Sequence, residues 1–581
     1  MPQMIYNCCM SKQDLKQKEC WTVKEKFPKD YLKNSGFSDL EKQLLFNRGI
    51  KNTEEADKFL NPDYDELHDP FLMKGMSEAV ERVGLALDNK DKVVVYGDYD
   101  VDGITAAAIL YETLSALGLE TDYYIPKRDS EGYGLNNDAL TEISAEGATL
   151  CVTVDCGITG VEEVECAKKL GLDIIITDHH NIPGKSGKQV VPDAIVVNPK
   201  QKDCKYPFGE LSGSGIAFKI AQALYKTFPE KLLQGQEKWL LDLAALGTVC
   251  DVVPLTGENR IIASFGNTVM AKTKRVGLKL LAEVSGINLQ EITSYHLGFQ
   301  LGPRLNAAGR LETAEKSIQL LLERDENAAR VLALELDNLN KERQGITKKI
   351  LEEAVAEIEK KDKAAKIYLL ANKNWPAGVV GIIASRLADK YARPAIIFED
   401  KGDLCQGSAR SPKCFNIIEA LEENADILVR CGGHARAAGV TVKKEHFVLL
   451  EEKLLEISGK KITEEDLVEK YEADAETTIQ DIGEGTYGFI QRMEPFGMGN
   501  SSPLFIGKGL RVDSFRKVGK DGEHLKLSFT DGNEKRNGIF FSYFDRDTDL
   551  KKTVDTLFSI NQNEWGGRIS YEMRCVAIRN A

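Results

Sequence analysis

Three short apolar runs in the first half of the chain each end in acidic or imidazole side chains. Apolar runs of this length, bounded by turn-forming residues, are typical of buried β-strands. The runs and the groups that follow them are 93–96 with GDYDVDG (97–103), 150–154 with Asp155, and 173–177 with Asp178, His179 and His180. Because carboxylates and imidazoles recur where strands end, we expect them to line one cation-binding crevice.

The segment 75–255 alternates such runs with helical patterns, which predicts a parallel sheet with helices on both faces. In sheets of this kind, ligands bind outside the carboxyl ends of the strands. The predicted strands are 92–97, 121–125, 149–154, 173–177 and 193–197, and the predicted helices include 103–117 and 160–170. The acidic and histidine motifs therefore fall where this fold class predicts a site.

A chain of 581 residues is too long for one hydrophobic core, so we expect about three domains. A helix-favouring composition at 312–360 predicts a long connecting helix, and short alternating runs after 465 predict a small β-barrel or sandwich. The predicted divisions are an irregular, loosely attached arm (1–45), a metal-binding catalytic domain (46–312), a connecting helix (313–363), a smaller α/β substrate-binding domain (364–460) and a β-rich nucleic-acid-binding domain (461–581).

The charge and the cysteine pattern exclude some classes of protein. A formal net charge of −14 argues against indiscriminate polyanion binding and, taken alone, favours an enzyme that does not act on nucleic acid. Local basic patches matter more than the total, so nucleic acid is not excluded. The 12 cysteines are scattered without a zinc spacing. No apolar run has the length of a membrane span, and residues 1–12 lack a signal-peptide core, so we expect a cytoplasmic protein.

Asp98, Asp100 and Asp102 alternate at the end of the first predicted strand of the sheet. Three carboxylates this close repel one another in water, and hard divalent cations between them make the arrangement favourable. A solvated turn is the alternative, since Asp and Gly are common in turns. The buried run before the motif, and Gly103 at the start of a helix, favour a fixed loop.

Asp155, the triplet Asp178-His179-His180 and Asp251 supply further candidate ligands. An imidazole beside carboxylates suits a Mn²⁺-like ion better than Ca²⁺, and a pair of surface or capping histidines is the alternative. For Asp155 and Asp251 the alternatives are a turn or helix cap and a local hydrogen bond. Together these groups can hold two ions that share a carboxylate, and such a site activates water for displacement at phosphorus. Hydrolysis of a phosphoester or phosphoanhydride is the leading reaction class.

Three segments combine small residues with groups that suit phosphate oxygens. Glycine exposes backbone N–H groups, and His or Arg adds charge. The segments are CGGHARAAG (431–439) with His434, GSARS (407–411) with Ser408 and Arg410, and GPRLNAAGR (302–310) with Arg304 and Arg310. The alternatives are a helix-start loop packed through Gly and Ala for the first segment and two surface arginines for the last.

The β-rich tail interleaves aromatic and basic side chains. Stacking faces beside cations suit single-stranded nucleic acid, and buried core aromatics are the alternative. The groups are Phe515-Arg516-Lys517, His524-Leu525-Lys526, and Phe540-Phe541 with Tyr543-Phe544.

Taken in order, these motifs make the chain resemble the RecJ family of single-strand-specific exonucleases, within the DHH phosphoesterase superfamily, from about residue 45 to residue 580. Several such blocks in fixed order are far more specific than any one of them. The blocks are GDYDVDG (97–103), EGYGL (131–135), VDCG (154–157), TDHH (177–180), GTVCDVVPL (247–255), LGPRLNAAGRL (301–311), GVVGIIASRL (378–387) and GGHARAAG (432–439).

The resemblance implies an α/β fold with a two-lobed DHH phosphoesterase core. A parallel-sheet metal lobe and a smaller α/β lobe of DHHA1 type would be joined by a long helix and followed by a C-terminal OB-type β-barrel. Two divalent cations, Mn²⁺ or Mg²⁺, are implied. The implied ligands are Asp100, Asp102, Asp155, His179 and Asp251, with Asp98 beside them. The implied phosphate or DNA contacts are His180, Arg304, Arg310, Ser408, Arg410 and His434, with Tyr133 in the DNA channel.

The chain departs from the family pattern at two positions. Pro376 follows Trp375 where the family usually has a His, which puts one substrate-side contact in doubt. Cys156 follows Asp155 where relatives often have Asn, and we interpret it as a small neutral filler.

The implied activity is metal-dependent hydrolysis of single-stranded DNA to mononucleotides from the 5′ end, in DNA repair and recombination. The resemblance also implies a monomer without membrane contact. Its implied partners are single-stranded DNA, a single-strand-binding protein and a RecQ-type helicase. One alternative is a DHH-family phosphodiesterase of short oligonucleotides or cyclic dinucleotides, against which residues 465–581 count because such enzymes are usually shorter. The other is a non-catalytic replication scaffold, which would be expected to have lost metal ligands.

Overall fold

The structure is a computed structural model that describes residues 19–128, 130–185, 188–362, 364–520, 522–543, 550 and 553–581. Residues 1–18 of the predicted arm and Phe544 of the tail lie outside the described residues. No described helix combines the length and the apolar character that crossing a membrane requires.

The elements up to residue 322 belong mostly to the metal lobe. They are β1 (Glu19–Val23), α1 (Asp39–Phe46), α2 (Thr53–Leu60), α3 (Met76–Asn89), β2 (Lys92–Gly97), α4 (Val101–Leu117), β3 (Glu120–Tyr124), α5 (Asn137–Ala145), β4 (Ala148–Val154), α6 (Val161–Lys169), β5 (Asp173–Thr177), β6 (Gly184–Lys185), β7 (Lys188–Gln189), β8 (Ile195–Val197), α7 (Gly213–Thr227), α8 (Leu241–Cys250), α9 (Gly257–Met270), α10 (Val276–Val284), α11 (Ser294–His296), α12 (Gly302–Leu311) and α13 (Glu315–Leu322).

The remaining elements form the connecting helix, the second lobe and the barrel. They are α14 (Glu326–Ile358), β9 (Tyr368–Asn372), α15 (Ala377–Tyr391), β10 (Ala395–Asp400), β11 (Leu404–Arg410), α16 (Ile417–Glu422), β12 (Leu428–His434), β13 (Ala437–Lys443), α17 (Phe447–Lys461), β14 (Glu469–Ala473), β15 (Ala475–Glu476), α18 (Glu484–Arg492), β16 (Phe505–Val518), β17 (His524–Thr530), β18 (Lys535–Phe540), β19 (Thr553–Trp565) and β20 (Arg568–Asn580).

The metal lobe is built on a five-stranded parallel sheet in the order β3-β2-β4-β5-β8. Strands β2, β4 and β5 are buried almost throughout, which is why they appear in the sequence as continuous apolar runs. The predicted parallel sheet is confirmed, and the order of its strands brings the carboxyl ends of β2, β4 and β5 side by side.

A single long helix joins the two lobes. Helix α14 has 33 residues, and at about 1.5 Å per residue it spans about 50 Å. The pattern at 312–360 predicted one helix, but the structure has two in this stretch. The separation arises because the Asp325 side chain accepts a hydrogen bond from the N–H of Ala328 and so caps the start of α14.

The second lobe contains a five-stranded sheet in the order β12-β13-β11-β10-β9. The segments 407–411 and 431–439, in which small residues suit phosphate oxygens, lie largely on the antiparallel strands β11, β12 and β13, so the helix-start loop considered for 431–439 is not present. Their small residues allow close pairing, as where Gly432 lies opposite Gly439. Small side chains without alternating polarity hide a strand from pattern analysis.

The tail forms a β-barrel. Its sheet runs in the order β15-β16-β17-β18-β20-β19, and β16 also pairs with β19, which closes five of the strands into a ring. The predicted OB-type barrel is confirmed.

The N-terminal segment belongs to the same unit as this barrel. Strand β1 pairs in parallel with β14, and the fully buried Leu44 and Leu45 lie in one hydrophobic core with Phe489 of α18. The prediction of an irregular or loosely attached arm was therefore wrong for residues 19–45, whose packing partners lie more than 400 positions away in the chain.

Candidate active site

The predicted acids and His179 converge where strands β2, β4 and β5 end. Three sets of side chains bring their ligand atoms within 4.8 Å of one another. The sets are Asp98 with Asp100 and Asp155, Asp102 with His179 and Asp251, and Asp155 with His179 and His180. Asp155 and His179 each belong to two sets, and the carboxylate of Asp155 could bridge two ion positions. We call these seven residues the acid cluster.

Backbone N–H groups orient two of the carboxylates. Asp100 caps α4 and accepts hydrogen bonds from the N–H groups of Asp102 and Gly103. Asp102 accepts from Gly213 at 2.6 Å and from Ser214 at 2.9 Å, at the start of α7. A Cβ atom at Gly213 would lie 2.5 Å from the Cβ of Asp155, so glycine is what lets this helix approach the cluster.

Burial and mutual repulsion make the cluster strongly unfavourable as a set of free carboxylates. Burial raises the pKa of Asp98, Asp100 and Asp155, and neighbouring carboxylates raise it further. Burial, followed by the charge of Asp102, raises the pKa of Asp251 to about 8. A divalent cation would relieve this repulsion, so the donor set fits such ions.

His179 is suited to a ligand role. Burial lowers its pKa to about 4, which keeps the imidazole neutral with a lone pair available. Its Nε2 lies 3.1 Å from Oδ1 of Asp155 and 3.6 Å from Oδ2 of Asp251. Among the described residues, Nε2 of His179 and Oδ1 of Asp98 and Asp155 are buried without a hydrogen-bond partner. Such orphaned donors and acceptors are costly unless a ligand satisfies them.

His180 has a different environment from its neighbour. Its Nδ1 donates to Asp178 at 2.8 Å, and the phenol oxygen of Tyr133 lies 3.1 Å from the same nitrogen. Burial lowers the pKa of His180, but the hydrogen bond and charge of Asp178 outweigh it and raise the pKa to about 9. The hydrogen bond to Asp178 therefore favours the protonated imidazole and orients it.

A second cluster, of arginines, lies near the acid cluster, and we call the space between the two clusters the cleft. The second cluster consists of Arg128 after β3, Arg310 on α12, Arg343 on α14 and Arg410 on β11, and we call it the arginine cluster. Burial, followed by the other three cations, lowers the pKa of Arg310 to about 9. Within the described part of the chain, the buried Nε atoms of Arg128 and Arg343 have no hydrogen-bond partner. Guanidinium N–H groups that are not used within the protein can bind phosphate oxygens.

The arginine cluster and the acid cluster face the same cleft. Burial has the largest effect on the pKa of Asp98 and of Asp100, and it raises both values. The positive charge of Arg128 opposes this rise in both residues. Burial likewise lowers the pKa of Arg410, and Arg128 lowers it further. Arg128 therefore lies within electrostatic reach of both clusters.

Three further residues that were predicted to contact phosphate or DNA lie in two different surroundings. Ser408 accepts a hydrogen bond from Arg410 at 2.8 Å, and burial and the charge of Arg410 lower the pKa of His434, so these residues adjoin the arginine cluster. Arg304 instead donates to Asp337 at 2.9 Å and to the carbonyl of Gln300 at 2.8 Å. Its role in DNA contact stays a prediction.

Sequence reasoning missed Arg128 and Arg343. Arg128 follows the carboxyl end of β3, and that position was a usable signal. Arg343 lies in the middle of a charged helix, where nothing in the pattern distinguishes it from solvated neighbours.

The structure shows the surroundings of the two residues that depart from the family pattern. Cys156 is fully buried, with its Sγ 3.9 Å from the carbonyl oxygen of Tyr96, and burial raises its pKa well above the usual value. It therefore behaves as a neutral filler. Trp375 is buried and donates to Glu353, and Pro376 precedes α15. Proline has no polar side-chain atom, so it cannot make the contact implied for a His.

The barrel presents some of its aromatic side chains to solvent. Phe541 is 47% exposed and lies beside the guanidinium of Arg574, at 5.3 Å from the ring centre, and the ring of His524. Phe515 is 49% exposed, whereas Phe540 and Tyr543 are buried. The prediction of stacking faces beside cations therefore applies to Phe541 and Phe515, and the alternative of core aromatics applies to the other two.

Comparison with known proteins places the chain in a family. It matches the N-terminal domain of the DHH family at 92–248, the DHHA1 domain at 361–461 and the RecJ OB domain at 473–577. It is similar to the single-stranded-DNA-specific exonuclease RecJ of Bacillus subtilis, with 40% identity over 90% of this chain and 66% of that protein. The corresponding protein of Dickeya dadantii is 33% identical over 92% of this chain and 95% of that protein.

A solved structure resembles the whole described chain. RecJ from Thermus thermophilus, crystallised in complex with Mn²⁺, has a TM-score of 0.83 and 29% identity. The match covers 97% of this chain and 80% of that protein. With its two-lobed core, its barrel and its extended similarity to these relatives, the chain belongs to the RecJ family.

Proposed function

We propose that the chain is a metal-dependent exonuclease that hydrolyses single-stranded DNA from the 5′ end. The observation that carries this proposal is the opposition, within one cleft, of the acid cluster and a half-buried arginine cluster for which no ion pair with a carboxylate is present among the described residues. The acid cluster suits divalent cations, and the arginine cluster suits phosphate oxygens.

The acid cluster would hold two divalent cations, Mn²⁺ or Mg²⁺. Asp98, Asp100 and Asp155 suit one position, and Asp102, His179 and Asp251 suit the other, with Asp155 shared. Bound there, the ions would lower the pKa of water and offset charge that develops at phosphorus. The protein's contribution is rigidity, because Asp100 and Asp102 are fixed by backbone N–H groups before any ion arrives.

The remaining polar groups of the cleft would handle the substrate phosphates. His180, cationic and oriented by Asp178, would donate a hydrogen bond to an oxygen of the scissile phosphate. Arg310 and Arg410 would bind phosphate oxygens through paired N–H groups, with Ser408 and His434 beside them. Four half-buried arginines offer more charge than one diester carries, which favours a terminal phosphate monoester in the same cleft.

The barrel would bind the strand that extends from the cleft. Exposed Phe541 and Phe515 can stack on unpaired bases next to cations, and a base inside a duplex cannot offer its face in this way. Selectivity for single strands would then come from shape and stacking and not from base edges.

The biological setting is proposed from family membership. The chain would act as a cytoplasmic monomer in DNA repair and recombination, release mononucleotides, and work with a single-strand-binding protein and a RecQ-type helicase.

One digestion assay tests the function directly. Labelled single strands blocked at the 5′ or at the 3′ end, a duplex, RNA and a cyclic dinucleotide are incubated with the protein in MnCl₂. We expect degradation of the 3′-blocked single strand and protection of the 5′-blocked strand and the duplex. Preferred cleavage of the cyclic dinucleotide would favour a small-substrate phosphodiesterase, and no cleavage of any substrate would favour a scaffold.

A further inference from the structure

A turn outside the metal lobe contacts the loop that carries Asp251. The turn comprises residues 495–500, between α18 and β16, and the loop comprises residues 251–256, between α8 and α9. The N–H of Leu255 donates to the carbonyl of Met498 at 2.7 Å, which joins the two segments through their backbones.

The two segments are packed without room for a side chain. Gly499 has a φ of +74°, and a Cβ atom there would lie 3.1 Å from the Cβ of Pro254 and 3.3 Å from the Cγ2 of Thr256. On the same turn, a Cβ at Gly497 would lie 2.7 Å from Cδ1 of the buried Leu255. The turn therefore fixes the position of the loop closely from the outside.

A buried arginine anchors the turn to the metal lobe. Arg260 is 4% exposed and belongs to α9, the helix that begins directly after the loop. Its guanidinium donates to the carbonyls of Met493 at 3.0 Å and Glu494 at 2.7 Å. Asn500, itself buried, donates to the carbonyls of Met493 and Pro495 and so stabilises the turn internally.

Asp251 is more exposed than Asp102 and Asp155, and it lacks the backbone hydrogen bonds that fix Asp102. Its side chain is 22% exposed, compared with 0% for Asp102 and 3% for Asp155. Asp102 accepts two backbone N–H groups, whereas no hydrogen bond to the Asp251 carboxylate is present among the described residues. The next residue, Val252, has a φ of +64°, a conformation that a β-branched side chain strongly disfavours. Without an external contact, the loop would relax away from this geometry.

We infer that the 495–500 turn is a positioning element that holds Asp251 against Asp102 and His179 and thereby completes one cation position. The inference rests on the proposed function, in which Asp251 is a ligand. Residues 495–500 would then contribute to metal affinity as well as to the connection between the second lobe and the barrel.

A matched pair of glycine substitutions tests the inference. Gly499→Ala places a methyl group against Pro254 in a left-handed backbone position. Gly509→Ala, in the same barrel unit, introduces the same backbone strain at a φ of +61° with no atom within 4 Å. Mn²⁺ binding to the full-length proteins is measured by titration calorimetry, which needs no substrate. We expect Gly499→Ala to raise the dissociation constant of one Mn²⁺ about tenfold, and Gly509→Ala to leave it within about twofold of wild type.

A second variant covers the case in which Gly499→Ala does not fold. Arg260→Lys keeps the charge but cannot span the carbonyls, and we expect the same weakening of one Mn²⁺ site, with hydrolysis recovering as Mn²⁺ is raised. Unchanged Mn²⁺ affinity in both folded variants, or an equal loss in Gly509→Ala, would overturn the inference while leaving the proposed function intact. Wild-type protein that binds no Mn²⁺ would overturn the metal site and this inference together.

Discussion

The acid cluster and the arginine cluster both concentrate like charges, but the fold holds them in different ways. Most of the carboxylates lie at strand ends and helix starts, with Asp251 at the end of α8, and backbone N–H groups fix two of them. The arginines reach the cleft on long side chains from three separate elements and, for Arg128, from the loop after β3. The comparison indicates that the geometry of the metal site is set before ligands bind, whereas the phosphate site can adjust to a moving strand.

The largest expected effect comes from removing the shared carboxylate. Asp155→Asn keeps the shape but removes a charge common to both ion positions, so we expect the rate of single-strand hydrolysis in MnCl₂ to fall at least about a thousandfold. The same change removes repulsion, so in EDTA the free energy of unfolding should rise by about 1 kcal/mol. Digestion of 5′-labelled DNA and urea denaturation measure the two quantities. Wild-type activity in this variant would refute the assignment of Asp155.

The second-largest expected effect distinguishes the role of the arginine cluster from that of the acid cluster. Arg410→Gln removes one guanidinium from the phosphate side, and loss of a buried charged partner costs about 3 kcal/mol, so kcat/KM should fall about a hundredfold. Mn²⁺ affinity, measured by calorimetry, should stay within about twofold of wild type. Arg330→Gln, on the exposed surface of α14, is the control and should behave as wild type. Coupled loss of Mn²⁺ affinity in Arg410→Gln would contradict the division of labour.

A smaller effect is expected on the barrel. Phe541→Ala removes an exposed stacking face, and one stacked base contributes about 1–3 kcal/mol, so binding of long single strands should weaken about tenfold. Cleavage of a dinucleotide, which is too short to reach the barrel, should not change. Ile569→Ala, equally exposed on β20, is the control. If both substrates lost activity together, Phe541 would have a structural role instead.

The smallest expected effect tests whether the arginine cluster accepts an anion alone. Inorganic phosphate at about four times its Kd should stabilise the protein in EDTA by about 1 kcal/mol. Thermal denaturation with and without phosphate measures this, and Arg410→Gln should show less than half of the shift. Equal stabilisation of both proteins would locate the phosphate elsewhere.

The sequence predicted most of the acid cluster because most of its members follow strands, and a strand end is a local signal; Asp251, at the end of α8, is the exception. The apolar runs that precede Asp98, Asp155 and His179 were enough to predict that these residues belong to the site. Sequence reasoning found only part of the arginine cluster. Arg343 lies in the middle of α14, and its place beside the cleft depends on how that long helix packs, which no local pattern encodes.

Two physical causes explain the parts of the fold that sequence reasoning missed. The contact between Leu255 and Met498, and the pairing of β1 with β14, join segments that are hundreds of positions apart. Strands β11 to β13 were missed because small residues give no periodic signal. Long-range packing decides these features, whereas local patterning decides the parallel sheet.

The pairing of β1 with β14 has a consequence for how the protein is made. Lys24 and its partner Asp474 are 450 positions apart, so at about 5–20 residues per second a ribosome needs about 20–90 s between the two. During that interval the metal lobe, whose strands are neighbours in the chain, can already fold. The barrel unit closes last, so a nascent chain gains its capacity to retain long strands only near the end of synthesis.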